Sequence, residues 1–210
     1  MPNTINQWRD GQWRDGQWRD GQLRDGQLRD WQSPAHLAAL EAVDPQTHRG
    51  AMRHFASPVT VVTSRKDGDP VGLTATAVCS VTADPPRIVV FINKQTLADS
   101  AIMATGAVCV NVLAGDQEEV ARAFAGMIPG VIGPARFDHG RWGELVTGAP
   151  VLDGALVAID CRVIKVFEES THHAFLCEIL ATRERGPGDG PDDSAALLYC
   201  NGAFHHLPHT

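Results

Sequence analysis

Residues 71–82 carry small hydroxyl side chains that alternate with alanine and valine, and Gly72 lies just ahead of them. The hydroxyl residues are Thr74, Thr76, Ser80 and Thr82. On one face of a strand, hydroxyls beside a glycine allow a polar ligand to approach the backbone and to form hydrogen bonds there. Cross-strand threonine pairs on an ordinary sheet produce the same pattern. The residues alone therefore leave both interpretations open.

A second polar cluster, Asn93-Lys94-Gln95-Thr96, follows an apolar run and precedes a helical pattern. Backbone N–H groups are unpaired at the start of a helix, and the helix dipole favours an anion there. A hydroxyl and a lysine ammonium beside those N–H groups would suit a phosphate ligand. The same residues also suit an ordinary helix cap. Phosphate binding is one of two interpretations at this position.

The five cysteines and nine histidines form no recognisable metal or catalytic motif. There is no CxxC pair, no HExxH and no zinc-ligand spacing, so we expect buried, free thiols in a reducing compartment. The histidine pairs His172-His173 and His205-His206 lie in strand-like segments, where neighbouring residues face opposite sides. Each pair can therefore bring one imidazole to a ligand pocket. A Rossmann glycine fingerprint, a P-loop and a nucleophile elbow are also missing.

Six or seven strands and about three helices are predicted to position these groups. Strand-like runs occupy 59–63, 71–82, 87–92, 107–113, 155–167, 172–182 and 197–200, and 71–82 is long enough for two strands. Helices are predicted after an Asp44-Pro45 cap, with Met52 and Phe55 facing inward, and at 96–105 and 116–125. Because strands and helices do not alternate regularly, a mainly β, antiparallel barrel with flanking helices is favoured over a doubly wound sheet.

The composition excludes several classes of protein. The chain has 210 residues and a net charge of −7, which argues against a general binder of nucleic acid or anionic membranes. No apolar run has the length of a membrane-spanning helix. No secretory signal is visible at the start of the sequence, so we expect a cytoplasmic protein.

Residues 8–32 repeat the unit Trp8-Arg9-Asp10-Gly11-Gln12, with a degenerate copy at the end. A period of five matches neither a helix face nor a strand face, and the glycine in each full copy disfavours a helix. We expect residues 1–32 to be an N-terminal extension, disordered and without a core of its own, or a Trp/Arg docking tail for a partner. Residues 33–210 are then the folded domain.

Seven motifs in this order resemble those of the short-chain flavin reductase family. They lie at 52–63, 72–81, 84–86, 110–124, 148–152, 172–179 and 197–204. The resemblance extends over roughly residues 48–207. It implies an FMN-binding split β-barrel that works as a homodimer.

The resemblance also implies an activity. Such a protein is an NAD(P)H-dependent flavin reductase, which transfers a hydride from NADH to FAD or FMN and supplies reduced flavin to a separate monooxygenase. The choice between FAD and FMN stays open. NADH is favoured over NADPH because few basic residues are near the expected site to meet a 2′-phosphate. The alternatives are a flavin-retaining oxidoreductase of the same barrel type and a non-catalytic flavin- or haem-binding module.

The site residues implied by the resemblance are carried over position by position. Those expected against the flavin rings and ribityl chain are Leu73, Thr74, Thr76, Ala77 and Ser80. Those expected around the flavin phosphate are Asn93, Lys94 and Thr96. His172 is the expected catalytic residue on the nicotinamide side, where Ser170-Thr171 replaces the usual Gly-Asp and His173 is adjacent.

Overall fold

The computed structural model describes residues 33–186 and 195–207. The repeat at 8–32 lies outside these ranges, so the expected boundary after residue 32 stays a prediction. Residues 33–43 belong to one unit and include the short helix α1 (Ala35–Ala38). A second, compact unit begins at Asp44 and contains every other element. No described helix combines the length and the apolar composition that crossing a membrane would require.

The compact unit is built mainly of strands. They are β1 (Ser57–Pro58), β2 (Thr60–Lys66), β3 (Asp69–Ala75), β4 (Val78–Ala83), β5 (Pro86–Asn93), β6 (Ala107–Val112), β7 (Trp142–Glu144), β8 (Pro150–Leu152), β9 (Val157–Glu169), β10 (His172–Glu184), β11 (Ala196–Cys200) and β12 (Ala203–Leu207). The helices are α2 (Pro45–Met52), α3 (Leu97–Thr105) and α4 (Glu118–Phe124), with 3₁₀ turns at Gly115–Gln117 and Gly133–Asp138.

The largest sheet has seven antiparallel strands in the order β3-β2-β6-β9-β10-β5-β4. Its two edges, β3 and β4, are consecutive in the sequence and are separated only by Thr76 and Ala77. Three Cα steps span about 11 Å at most, so the sheet must curl until these ends nearly meet. The result is a barrel that is open at residues 76–77. The predicted antiparallel split barrel is confirmed.

The strand β2, next to the edge strand β3, is buried on both faces from Thr60 to Ser64. Val62 belongs to the cluster inside the barrel, together with Val90 and Phe175. Val61 belongs to a second cluster with Phe124, on the face covered by α4. Each fully buried side chain of this size stabilises the fold by about 1.5–3 kcal/mol. The short β-branched run of β2 thus contributes side chains to both hydrophobic clusters.

Helix α3 begins and ends where its capping residues predict. The Thr96 hydroxyl accepts a hydrogen bond from the Asp99 N–H at 3.2 Å, which satisfies one unpaired donor of the first turn. Gly106 ends the helix in the left-handed conformation, with φ at 68°. The start of α3 is therefore held at the end of β5, beside the opening of the barrel.

Two expectations about burial differ from the structure. Met52 and Phe55 are 43% and 65% exposed, because α2 ends at Met52 and has no buried residue. Cys79 is exposed and Cys200 is partly exposed, whereas the other three cysteines are buried as predicted. Cys79 lies on the sheet edge β4, and Cys200 lies at the end of β11.

The predicted strand-like runs missed the short strands β1, β7 and β8 and the last strand, β12. β12 pairs antiparallel with β11 through a tight turn at Asn201 and Gly202, both of which have positive φ. An Asn-Gly pair between two strand-like runs is a strong hairpin signal. His205 and His206 lie on β12, in agreement with the strand-like segment expected for this pair.

Candidate functional site

A cleft of about 430 Å³ lies at the opening of the barrel and is called the split cleft here. Six parts of the fold form its walls: the end of β3, the 76–77 connection, the end of β5 with the start of α3, the end of α4, the 3₁₀ turn Gly133–Asp138, and the start of β10. A cleft of this size is typical of small-molecule sites. The curl of the sheet is what brings these distant segments together.

Most of the predicted site residues line the split cleft. They are Leu73, Thr74, Thr76, Ala77, Asn93, Thr96 and His172. The glycine-leucine-threonine run and the polar cluster after β5 are far apart in the pairing order of the sheet but meet here. The two polar signals of the sequence thus belong to one cavity.

Ser80 and Lys94 were predicted in the same site but are not among the residues that line the cleft. Ser80 is exposed on β4, beyond the opening. The Lys94 ammonium lies 2.6 Å from Oε1 of Glu168 at the β9–β10 turn. The hydrogen bond from Lys94 holds the pKa of the Glu168 carboxyl below its ordinary value. Lys94 therefore already has an ion-pair partner in Glu168, and it directly follows Asn93, which lines the cleft.

The two threonines of the 74–76 segment have different roles. The Thr74 hydroxyl donates to the Ala121 carbonyl at 2.7 Å and so ties β3 to α4. Thr76 forms no hydrogen bond with any residue that the structure describes. Its hydroxyl and backbone groups are therefore free to bind a ligand in the split cleft.

Gly72 makes room for α4 against β3. A Cβ at this position would lie 2.9 Å from Cε1 of Phe124 and 3.0 Å from the carbonyl oxygen of Val62. Both distances are shorter than normal contacts, so only glycine fits without a shift. The glycine therefore allows α4 to pack closely against β3.

His172 and His173 face opposite sides of β10. His172 pairs with Asn93 of β5 and lines the split cleft, with its Nδ1 2.8 Å from the Thr171 hydroxyl. His173 points into the barrel, where its Nδ1 lies 2.8 Å from Oδ1 of Asp99. The structure thus places His172, and not its neighbour, in the wall of the split cleft.

Arg136 lines the split cleft and was not predicted. Its Nη1 donates weakly to the Gly72 carbonyl at 3.5 Å, and its buried Nε has no hydrogen-bond partner. Within residues 33–186 and 195–207, no carboxylate lies within ion-pair distance of it. An unpaired, partly buried guanidinium of this kind fits an anionic ligand.

Aromatic packing fixes the segment that carries Arg136. Phe137 lies 4.9 Å from Phe124 and 4.9 Å from Trp142, measured between ring centroids. The sequence contains little indication of this packing, because residues 127–154 are rich in glycine and proline and predict a long irregular segment. Phe137 and Trp142 are the two aromatic residues of this stretch, and both pack against Phe124.

Comparison with known proteins agrees with this geometry. The model of the flavin reductase-like domain matches residues 52–208. The chain belongs to the flavin reductase-like family. The resemblance stated from the sequence motifs is thereby confirmed, and the match starts well after the repeat tract.

Individual relatives of the family are similar over most of their length. The FMN reductase (NADH) RutF of Ancylobacter novellus is 39% identical over 82% of this chain and 91% of its own. The 4-hydroxyphenylacetate 3-monooxygenase reductase component of Pseudomonas aeruginosa is 41% identical over 77% of this chain and 91% of its own. The structure of the NADH:FAD oxidoreductase SgcE6 of Streptomyces globisporus matches with a TM-score of 0.67 and 30% identity, covering 80% of this chain and 98% of that one.

Proposed function

We propose that this chain is an NADH-dependent flavin reductase that supplies reduced FMN or FAD to a separate monooxygenase. The split cleft carries the proposal, because it gathers the predicted flavin-contacting segment, the loop before α3 and His172 in one cavity of a flavin reductase-like fold. The relatives named FMN reductase and monooxygenase reductase component support the same activity.

The residues of the cleft fit a flavin. Thr76 has free hydrogen-bonding groups, and Phe91 and Phe124 provide apolar walls for a flat ring system. Arg136 offers an unpaired cation for the phosphate, close to the start of α3 at Thr96. We assign the flavin site to these residues, with Leu73, Thr74, Ala77 and Asn93 completing its walls.

The chemistry needs positioning more than acid–base catalysis. The flavin and the nicotinamide supply the hydride transfer, and the protein must hold the two rings in contact. The free groups of Thr76 would stabilise the negative charge that reduction places on the flavin ring. His172, held by the Thr171 hydroxyl, would orient the nicotinamide at the mouth of the cleft.

NADH oxidation by the purified chain tests the proposal. Loss of NADH absorbance should require added FMN or FAD. Oxidation by a protein that retains its own flavin would support the flavin-retaining oxidoreductase instead. No oxidation with either flavin and either nicotinamide nucleotide would overturn the proposed activity.

The role of His172 has its own test. His172→Ala should raise the KM for NADH more than the KM for flavin, because the imidazole is assigned to the nicotinamide side. His205→Ala is a matched control, since His205 is exposed on β12 and does not line the cleft. An unchanged KM for NADH in the His172 variant would remove this residue from the site.

We further propose a homodimer. Phe55 is 65% exposed, and Phe91, at the mouth of the split cleft, is 40% exposed. A second copy would bury such side chains, as isologous interfaces commonly do. Sedimentation equilibrium should give twice the 22.6 kDa of the chain. A monomer at micromolar concentration would contradict the proposal.

Two further expectations follow from the proposed activity. NADH is a cytoplasmic substrate, and the free thiols of Cys109, Cys161 and Cys177 are typical of a reducing compartment, so we place the enzyme in the cytoplasm. Residues 1–32 are proposed as an extension outside the catalytic domain. Their deletion should leave flavin-dependent NADH oxidation unchanged, and a loss of folding or activity would refute this division.

A further inference from the structure

The turn between β9 and β10 consists of two residues, Ser170 and Thr171. Glu169 pairs with His172 across this turn, so the turn fixes where β10 begins. Ser170 has a left-handed φ of 46°, as the first residue of a tight hairpin turn commonly does. The turn therefore places Thr171 directly before His172, which lines the split cleft.

Thr171 makes two contacts that reach different parts of the site. Its hydroxyl lies 2.8 Å from Nδ1 of His172. Its backbone carbonyl accepts a hydrogen bond from the Lys94 N–H at 3.0 Å, in the loop before α3. The second contact belongs to the backbone and does not need the threonine side chain. A substitution of Thr171 can therefore remove the first contact and keep the second.

The hydroxyl contact leaves one ring nitrogen of His172 for a ligand. A hydroxyl can donate or accept, so it can bind Nδ1 in either tautomer of the imidazole. In the part of the chain that the structure describes, no group forms a hydrogen bond with Nε2 of His172. Because Nδ1 is already bound, Nε2 is the nitrogen that is left to meet a ligand in the split cleft.

The same contact restrains the orientation of the imidazole. His172 is only partly buried, and the Thr171 hydroxyl is the one group among the described residues that forms a hydrogen bond with its ring. A side chain that is already held in its bound orientation loses less conformational freedom when a ligand arrives. Loss of the hydroxyl should therefore weaken the binding of any ligand that contacts His172.

We propose that Thr171 is a positioning residue, whose hydroxyl holds the His172 imidazole with Nε2 available to the nicotinamide. This inference rests on the proposed flavin reductase function and on the assignment of His172 to the nicotinamide side. Thr171 does not itself line the split cleft, so it acts through His172.

Three variants separate the hydroxyl from the rest of the turn. Thr171→Val removes the hydroxyl but keeps the β-branched shape and the backbone contact with Lys94. Thr171→Ser is the conservative variant, because it keeps a hydroxyl. Thr82→Val is the matched control, since Thr82 is also exposed and its hydroxyl donates to the Pro85 carbonyl at 2.6 Å, away from the cleft.

Binding and kinetics are both measured on the full chain. Equilibrium dialysis against NAD⁺ in the presence of oxidised FMN gives the Kd of the nicotinamide nucleotide without turnover. Dialysis against FMN alone gives the Kd of the flavin. Steady-state NADH oxidation gives the KM for each substrate, and thermal unfolding gives the Tm.

Thr171→Val should raise the Kd of NAD⁺ and the KM for NADH by roughly two- to tenfold, the range expected for one lost hydrogen bond. The Kd and KM of FMN should stay unchanged, because the Lys94 contact is kept. Thr171→Ser should return the nicotinamide values toward the original ones, and Thr82→Val should change none of them.

A double variant tests whether Thr171 acts through His172. Thr171→Val combined with His172→Ala should bind NAD⁺ no more weakly than His172→Ala alone, because the hydroxyl then has no imidazole to hold. Additive losses in the double variant would show that Thr171 affects the nucleotide by another route and would overturn the proposal.

Other results would also overturn it. Equal increases in the Kd of FMN and NAD⁺, together with a lower Tm, would show that Thr171 only stabilises the turn. An unchanged Kd of NAD⁺ in Thr171→Val, or no recovery in Thr171→Ser, would remove the hydroxyl from the site. Failure of the unmodified chain to oxidise NADH with either flavin would instead overturn the proposed function, and this inference with it.

Discussion

The Nδ1 atom of His173 lies 2.8 Å from Oδ1 of Asp99, and the two side chains are only 15% and 7% exposed. Asp99 belongs to the first turn of α3, and its N–H donates to the Thr96 hydroxyl. His173 belongs to β10, directly beside His172. One buried contact therefore ties together the two elements that carry Thr96 and His172 into the split cleft.

Breaking this contact should weaken flavin binding more than turnover. In His173→Phe the buried Asp99 carboxylate loses its partner, which should cost about 1–3 kcal/mol of folding stability. The start of α3 should then become less fixed, so the KM for flavin should rise while kcat stays near its original value. Thermal unfolding and steady-state kinetics measure the two effects.

His173→Gln is the conservative variant for this contact. Its amide can still donate to Asp99, so the KM for flavin should return toward the original value. A role in stability alone would lower the Tm of His173→Phe without moving the KM. That outcome would contradict the positioning role.

The positions of α3, β2 and β5 follow from local signals in the sequence. The Thr96 cap, Gly106 and the β-branched run of β2 each act over a few residues, so pattern analysis finds them. The exposure of Phe55 could not be found this way, because burial depends on which element packs above a residue. Arg136 was missed for the same reason: only the aromatic packing of Phe137 brings it to the cleft.

The two histidines of β10 show what the sequence pattern alone does not predict. Alternation predicts that His172 and His173 face opposite ways, but it does not say which of the two lines the split cleft. The pairing of His172 with Asn93, and of His173 with Ile92, decides the question, because Ile92 lies in the barrel core. A local sequence pattern does not reveal this register, because β5 and β10 are far apart in the chain.

Removing the partner of Lys94 should strengthen flavin phosphate binding. Lys94 is held by Glu168, and Glu168→Gln would free the ammonium at the edge of the site. The KM for FMN should fall about two- to threefold, and the gain should shrink at high salt because exposed charges are screened. Glu184→Gln is the matched control, since Glu184 is exposed and forms no ion pair with the described residues.

Lowering the pH toward the ordinary pKa of a glutamate is not expected to reproduce the effect of Glu168→Gln. The pKa of Glu168 is lowered by the Lys94 hydrogen bond, so the carboxylate stays charged and paired above its ordinary pKa. The pair is lost only as the pH falls through the lowered value.

An equal fall in KM for both glutamate variants would show that net charge, and not Lys94, causes the change.

Gly72→Ala should destabilise the wall of the split cleft. The new Cβ would meet Cε1 of Phe124 at 2.9 Å and the Val62 carbonyl oxygen at 3.0 Å, so α4 must shift away from β3. Overpacking of this kind costs about 1–3 kcal/mol, which thermal unfolding should record as a lower Tm. Gly50→Ala is the control, because a Cβ there meets nothing within 4 Å and alanine favours the α2 helix. Similar Tm values for both variants would refute the close contact.

Cysteine labelling should separate the exposed from the buried thiols. Burial raises the pKa of the Cys177 thiol to about 12, and it also raises the pKa values of Cys109 and Cys161. At pH 8 only about one Cys177 thiol in ten thousand would be ionised, and the thiolate is the reactive form. Labelling of these three cysteines should begin only as the pH approaches the raised values or as the protein unfolds. Iodoacetamide should therefore modify the exposed Cys79 first in the native protein.

Peptide mass spectrometry identifies the labelled residue, and Cys79→Ser serves as the control that should lose the fast reaction. Cys79 does not line the split cleft, so its modification should leave flavin-dependent NADH oxidation unchanged. Labelling of Cys177 at the rate of Cys79 would contradict its place inside the barrel, because a reagent can reach that thiol only when the sheet opens.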